Sequence, residues 1–173
     1  VAAVAGGGPV HLVETDDLIV GDVSVTSKVV AFDSSISEEN DVTLAGVDSS
    51  SHDMLLVTGG SLTVNKVLDA GTADARIVSG QTIVQNAEGV INADELGIIL
   101  DSTLTGQDVT LSAADNIINT LAVRNTSTGG DVIFFDSDGA GLFVGEVGSL
   151  LTFVTTTGVD TNAGDINVTS SGD

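Results

Sequence analysis

Asp136-Ser137-Asp138-Gly139 is the sharpest local concentration of ligand chemistry in the chain. Carboxylates at alternate positions followed by a glycine resemble the opening of a loop for a hard divalent cation, which takes oxygen ligands and needs a tight turn. An EF-hand would place an acid as its twelfth residue; counted from Asp136 that place is held by Val147, and Glu146 falls one short. The EF-hand pattern fails. Two readings stay open: a plain acidic turn, or a looser calcium site made by Asp136, Asp138 and Glu146. The clusters Glu14-Thr15-Asp16-Asp17 and Asp94-Glu95 carry the same suspicion more weakly, and Asp101 and Asp108 form a pair that adjacent turns could bring together. No cofactor other than Ca²⁺ is suggested.

Glycoside hydrolysis needs two carboxyl groups roughly 5–9 Å apart beside a sugar. Among 25 acidic residues some pair meets that distance by chance, so spacing alone argues nothing. The chain has no Trp or Tyr on which a sugar ring could stack, and only 4 basic residues to receive an acidic polysaccharide. His11 and His52 are the only imidazoles, and no serine is spaced with them in a way that proposes a triad. With no Cys, thiolate metal sites and disulfides are excluded. The expectation is a protein without catalytic residues. Outward threonines, including Thr155-Thr156-Thr157, do not recur at a fixed period as an ice-binding face requires, and the sequons Asn125-Thr126-Ser127 and Asn167-Val168-Thr169 are as many as chance supplies.

The acids outnumber the bases to give a formal charge of −21, which repels a phosphate backbone and sets nucleic acid aside. A 42% hydrophobic fraction and a mean hydropathy of +0.37 nevertheless demand a packed core, with the carboxylates facing water. No run of about 20 apolar residues exists to cross a bilayer as a helix. The small apolar start, Val1 to Val10, reads as a mature end or a cut fragment.

The elements that must carry these residues are short. The best helix candidate, Asn86 to Leu96, is interrupted by Gly89 and lacks a sustained apolar face. Elsewhere Val- and Ile-rich runs alternate with Gly, Asp, Asn, Ser and Thr, the composition of strands and turns. Gly21-Asp22-Val23-Ser24-Val25-Thr26 returns as Gly130-Asp131-Val132-Ile133-Phe134 and as Gly164-Asp165-Ile166-Asn167-Val168-Thr169. Similar runs open at Asp22, Asp41, Ser61, Gln81, Asp108, Asp131, Ser149 and Asp165, with early steps of 19, 20 and 20 residues and late ones of 23, 18 and 16. A period near 20 predicts an all-β solenoid: a right-handed parallel β-helix of about eight or nine rungs, on the order of 40 Å tall. Val109 and Leu111, and Ile166 and Val168, then point inward. The glycine suits a corner with positive φ, and the aspartate caps its own turn. The alternative is an antiparallel β-sandwich, which would show strands every 8–12 residues and more Asn-Gly or Asp-Gly turns than the single Asp138-Gly139.

The stretch Asp108 to Gly141, and Val154 to Asp173 after it, resembles the rungs of filamentous-haemagglutinin-like repetitive bacterial surface proteins, in which a Gly-Asp-hydrophobic-x-hydrophobic-Thr phrase opens a strand. The resemblance is clearest over residues 105–173 and implies a parallel β-helix adhesin on the cell exterior. The chain is shorter than those proteins and lacks their Asn-Pro-Asn-Gly-type secretion segment, which points to a fragment or a small subunit.

A single solenoid domain is therefore expected over 14–173, preceded by an extended segment, 1–13, whose Val1, Val4 and Val10 could add as a donor strand to a neighbouring subunit. The function expected is that of a non-enzymatic extracellular structural or adhesive protein, a surface rod, sheath or filament subunit that associates with itself or with neighbouring repeats. A calcium-stabilised adhesin or carbohydrate-binding module is the alternative.

Overall fold

Short aliphatic runs separated by turns can satisfy their backbone groups only by pairing side by side, and most of the strands here do so in parallel. The structure, a computed structural model, describes residues 1–40 and 43–172, the side chains of 39, 40, 113 and 114 aside. The strand start expected at Asp41 and the terminal Asp173 lie outside the described residues. Among the described residues every regular element is a strand, including Ile91–Leu100, which takes in the second half of the segment that looked most helical.

Fifteen strands join one sheet, within which three columns can be followed. The first stacks Leu18–Val20, Leu62–Val64, Ile83–Gln85, the start of Val109–Thr128, Val132–Asp136 and Ile166–Ser170. The second stacks Val10–Glu14, Met54–Thr58, Ala75–Ser79, residues 96–100, residues 121–125 and Val159–Asn162. The third is made of two-residue pairings: Ala3–Val4, Val47–Asp48, Leu68–Asp69 and residues 91–92, with 117–118 above them. Partners in the middle of the second column lie 21 residues apart, as in Met54↔Ala75 and Ala75↔Leu96. Because neighbouring segments run in the same direction, the sandwich alternative does not describe this sheet. Among the described residues antiparallel pairing is confined to two-stranded ribbons and one isolated bridge.

The columns curl around one core. Leu62, Ile83, Val109, Val132 and Phe134 of the first meet Leu56, Ile77, Ile98, Leu121 and Val123 of the second and Val47, Leu68 and Ile91 of the third. Each such side chain contributes about 1.5–3 kcal/mol by leaving water. Repetition in register is what lets like pack on like from one level to the next.

The two longest columns are six strands deep, roughly 24 Å from first to last, against the eight or nine levels expected. Two excursions account for the shortfall. Residues 22–45 leave as an antiparallel hairpin, with Asp22–Val23 on Leu44–Ala45 and Thr26–Val30 on Ile36–Asn40. The chain rejoins where it left, Gly46 N–H donating to the Gly21 carbonyl at 3.1 Å. Residues 145–158 fold back across the outer face of the second column. There Val147, Leu150 and Phe153 cover Leu55, Ile99 and Ala122 in a second apolar cluster. Gly97 belongs to that contact: a Cβ on it would lie 2.5 Å from the Phe153 ring. The expected strand starts at Asp22 and Ser149 fall in these excursions, while the first member of the first column, Asp17-Leu18-Ile19-Val20, was not among the expected starts. The strand Val10–Glu14 runs across residue 13, and Val10 is buried in the core.

Candidate functional site

Aspartates that open strands of the first column hold one level to the next. Asp17 accepts from Ser61 N–H at 2.7 Å, Asp108 from Asp131 N–H at 2.9 Å, and Asp131 from Asp165 N–H at 2.8 Å. The carboxylates thus reach across levels instead of capping their own turns, which is a correction to the turn-capping role expected of them. Turn capping of that kind belongs to other aspartates: Asp48, Asp69 and Asp138 accept from the N–H two residues on. The glycine also differs from expectation. Neither Gly130 nor Gly164 adopts a left-handed φ, but a Cβ on Gly164 would stand 1.9 Å from the Gly130 carbonyl oxygen, and one on Gly130 2.1 Å from that of Gln107. Close approach between levels requires glycine there.

At the ends of the stack this pattern is interrupted. Among the described residues, nothing donates to the Asp165 carboxylate and the Asp17 N–H finds no acceptor. Val10–Glu14 and Leu18–Val20 each have a strand on one side only, as do Val159–Asn162 and Ile166–Ser170. Ile166 stands in line with Leu62, Ile83, Val109 and Val132, which are fully buried, yet it is 50% exposed because no strand lies beyond it.

The segment expected to donate itself to a neighbour is engaged at home. Val4 pairs with Asp48, Val10 N–H donates to the Asp53 carbonyl at 3.0 Å, and Val1 bonds to the Ile19 carbonyl and accepts from Gly21 N–H at 2.9 Å. Of Val1, Val4 and Val10, only the first two are exposed.

The acidic turn is less open than its sequence suggests. Asp136 is fully buried; its carboxylate accepts from Ile118 N–H at 3.2 Å and from the Ser170 hydroxyl at 3.0 Å, and burial pushes its pKa above the ordinary carboxylate range. Asp138 turns to Ala140 N–H at 2.8 Å, and Glu146 sits on the outer ribbon accepting from the Thr157 hydroxyl at 3.3 Å. No group of three or more His, Asp or Glu side chains suited to a metal ion converges among the described residues.

Sequence reasoning did not single out the arginines. Arg76, almost entirely buried, donates from Nε to the Gly148 carbonyl and from a terminal nitrogen to Asp74, each at 2.8 Å, with Asp53 3.5 Å away. It ties residues 145–158 to the second column. Burial raises the pKa of Asp74 against the pull of Arg76, and raises that of Glu95 with Asp74 and Asp94 adding to it. Arg124 lines a polar cleft of about 320 Å³ with Asn125, Thr126, Asp160, Thr161 and Asn162, and its Nε is buried without a hydrogen-bond partner. The signal available in the sequence was scarcity: with 4 basic residues among 25 acids, each buried one has a structural cause. His52 directs Nδ1 at the Ser49 and Ser50 carbonyls, at 3.1 and 3.0 Å, and so locks a turn instead of meeting a hydroxyl.

Comparison with protein-family models, with curated proteins and with solved structures finds no match.

Proposed function

We propose that the three columns close into the rungs of a right-handed parallel β-helix, and that the chain is a non-enzymatic structural or adhesive element on the outside of a cell, part of a surface rod, sheath or filament. The observation that supports this is the register. Strands of adjacent levels pair in register through the backbone, and at three of the five steps of the first column a carboxylate also reaches up to the next strand. A stack of that kind is stiff along one axis and invests its side chains in stacking. Its exterior, at a formal charge of −21, stays hydrated and resists collapse onto other surfaces. The reading agrees with the resemblance to filamentous-haemagglutinin-like surface proteins.

Small-angle X-ray scattering with negative-stain microscopy, run with Ca²⁺ and with a chelator, tests it. The expected result is a slender particle that the chelator leaves unchanged. A rounded particle contradicts the closed stack. Loss of the shape on chelation transfers the reading to a calcium-stabilised adhesin.

A further inference from the structure

We infer that the two ends of the stack bind each other, the Val159–Asn162 and Ile166–Ser170 edge of one copy receiving the Val10–Glu14 and Leu18–Val20 edge of a second, so that copies add head to tail in the register that relates successive levels within the chain. This rests on the stacked-level reading above. The partner is a second copy because every feature left open at one end has its complement at the other. The strands at both ends belong to the same two columns and run in the same direction. Carrying the internal register across the junction sets Val159 on Leu12, Thr161 on Glu14 and Ile166 on Leu18. It also sets the unanswered Asp165 carboxylate at the unanswered Asp17 N–H, continuing the series from Asp108 to Asp131 to Asp165. Ile166 gains the covering strand that the fully buried members of its column already have. A head-to-tail contact whose operator is a translation does not close on itself, so it yields a filament.

Two features regulate the contact. Val1 occupies part of the receiving edge through its bonds to Ile19 and Gly21, and the incoming Ile166–Ser170 strand takes its place. Glu14, Asp16 and Asp17 face Asp160 and Asp165 across the junction, so like charges oppose assembly until salt screens them; about 1 M NaCl shortens the screening length to roughly 3 Å.

Edge-specific prolines test this without touching bonds inside the chain. Alternation along a parallel strand turns Val10 N–H and the Glu14 carbonyl to the neighbouring strand, which leaves Val13 N–H on the open side; the same alternation leaves Val168 N–H open at the other end. Val13→Pro and Val168→Pro each remove a donor that no described residue uses and that the second copy would use, and Asp165→Ala removes the acceptor. In sedimentation velocity at about 1 M NaCl the chain is expected to associate with rising concentration, and each variant to weaken association about tenfold while its circular dichroism and melting stay those of the parent. Deleting Val1 and Ala2 is expected to strengthen association. A chain that stays monomeric at high salt, association undiminished by either proline, or association weakened by the deletion overturns the inference. A slender but monomeric particle in the scattering experiment removes only the end contact, whereas a rounded one removes the reading beneath it.

Discussion

At the scale of single residues, the Gly-Asp phrase was visible in the sequence but its purpose was not. Corner glycines and turn-capping aspartates are the local roles those residues usually take, and a local reading has no access to the carbonyl of the level below. The distinction has a consequence. Gly130→Ala is expected to destabilise the fold by about 1–3 kcal/mol, because the Cβ meets the Gln107 carbonyl. Gly21→Ala, in the same phrase, meets nothing nearer than a side-chain carbon at 3.9 Å and is expected to change stability by less than about 0.5 kcal/mol. Equal effects in chemical denaturation would refute the close-approach explanation. The buried Asp136 and the half-buried Asp74 and Glu95 give a second consequence. Asp74, Glu95 and Asp136 are raised in the folded state chiefly by burial, so between the ordinary and the raised pKa the folded form holds more protons than the unfolded one, and stability falls as pH rises through that window. Glu14, Asp33 and Glu88, lowered by hydrogen bonds, lose their contribution on the acid side. Melting temperature is expected to be higher on the acid side of that window than on its alkaline side, and Asp136→Asn, which keeps an acceptor for Ile118 N–H, to narrow the difference. A melting temperature that climbs steadily through that window would contradict this.

At the scale of elements, the starts at Ser61, Gln81, Asp108, Asp131 and Asp165 all open strands of the first column, but of the steps read from the sequence only Ser61 to Gln81 and Asp108 to Asp131 join stacked neighbours, and Leu18 and Leu62, or Val132 and Ile166, are partners 44 and 34 residues apart. Asp22 and Ser149 misled because an antiparallel hairpin and a stacked strand draw on the same aliphatic alternation; the partner decides, and a single run does not name its partner. Among the described residues of the hairpin, Val23, Val25, Val29, Val30, Ile36 and Leu44 are exposed, and Phe32 is fully exposed at its tip. Since Gly21 and Gly46 are already hydrogen-bonded, replacing 22–45 by a short Gly-Ser linker is expected to leave the stack folded, with a change in unfolding free energy below about 1 kcal/mol. A loss above about 3 kcal/mol would show that the hairpin supports the core.

At the scale of the molecule, composition carried a long way. An apolar fraction sufficient for a core and a scarcity of helix signals were enough for an all-β chain, the recurrent phrase was needed to expect parallel strands, and the charge was enough to keep the acids largely outside. The depth of the stack was not legible, because dividing the length by the period counts the two excursions as levels. Which strands form the open ends was not legible either, since that depends on which strands have neighbours. Everything proposed for the molecule stands on parallel register. The chain has no cysteine, so introduced pairs report on it cleanly. Thr63 and Val84 are register partners on adjacent strands, and Thr110 lies one strand further along the same column. Oxidation of Thr63→Cys/Val84→Cys, followed by mass spectrometry, is expected to give an intramolecular disulfide, because neighbouring strands lie about 4.8 Å apart, while Thr63→Cys/Thr110→Cys, at about twice that distance, is expected to give none. A disulfide in the second pair and none in the first would contradict the stack.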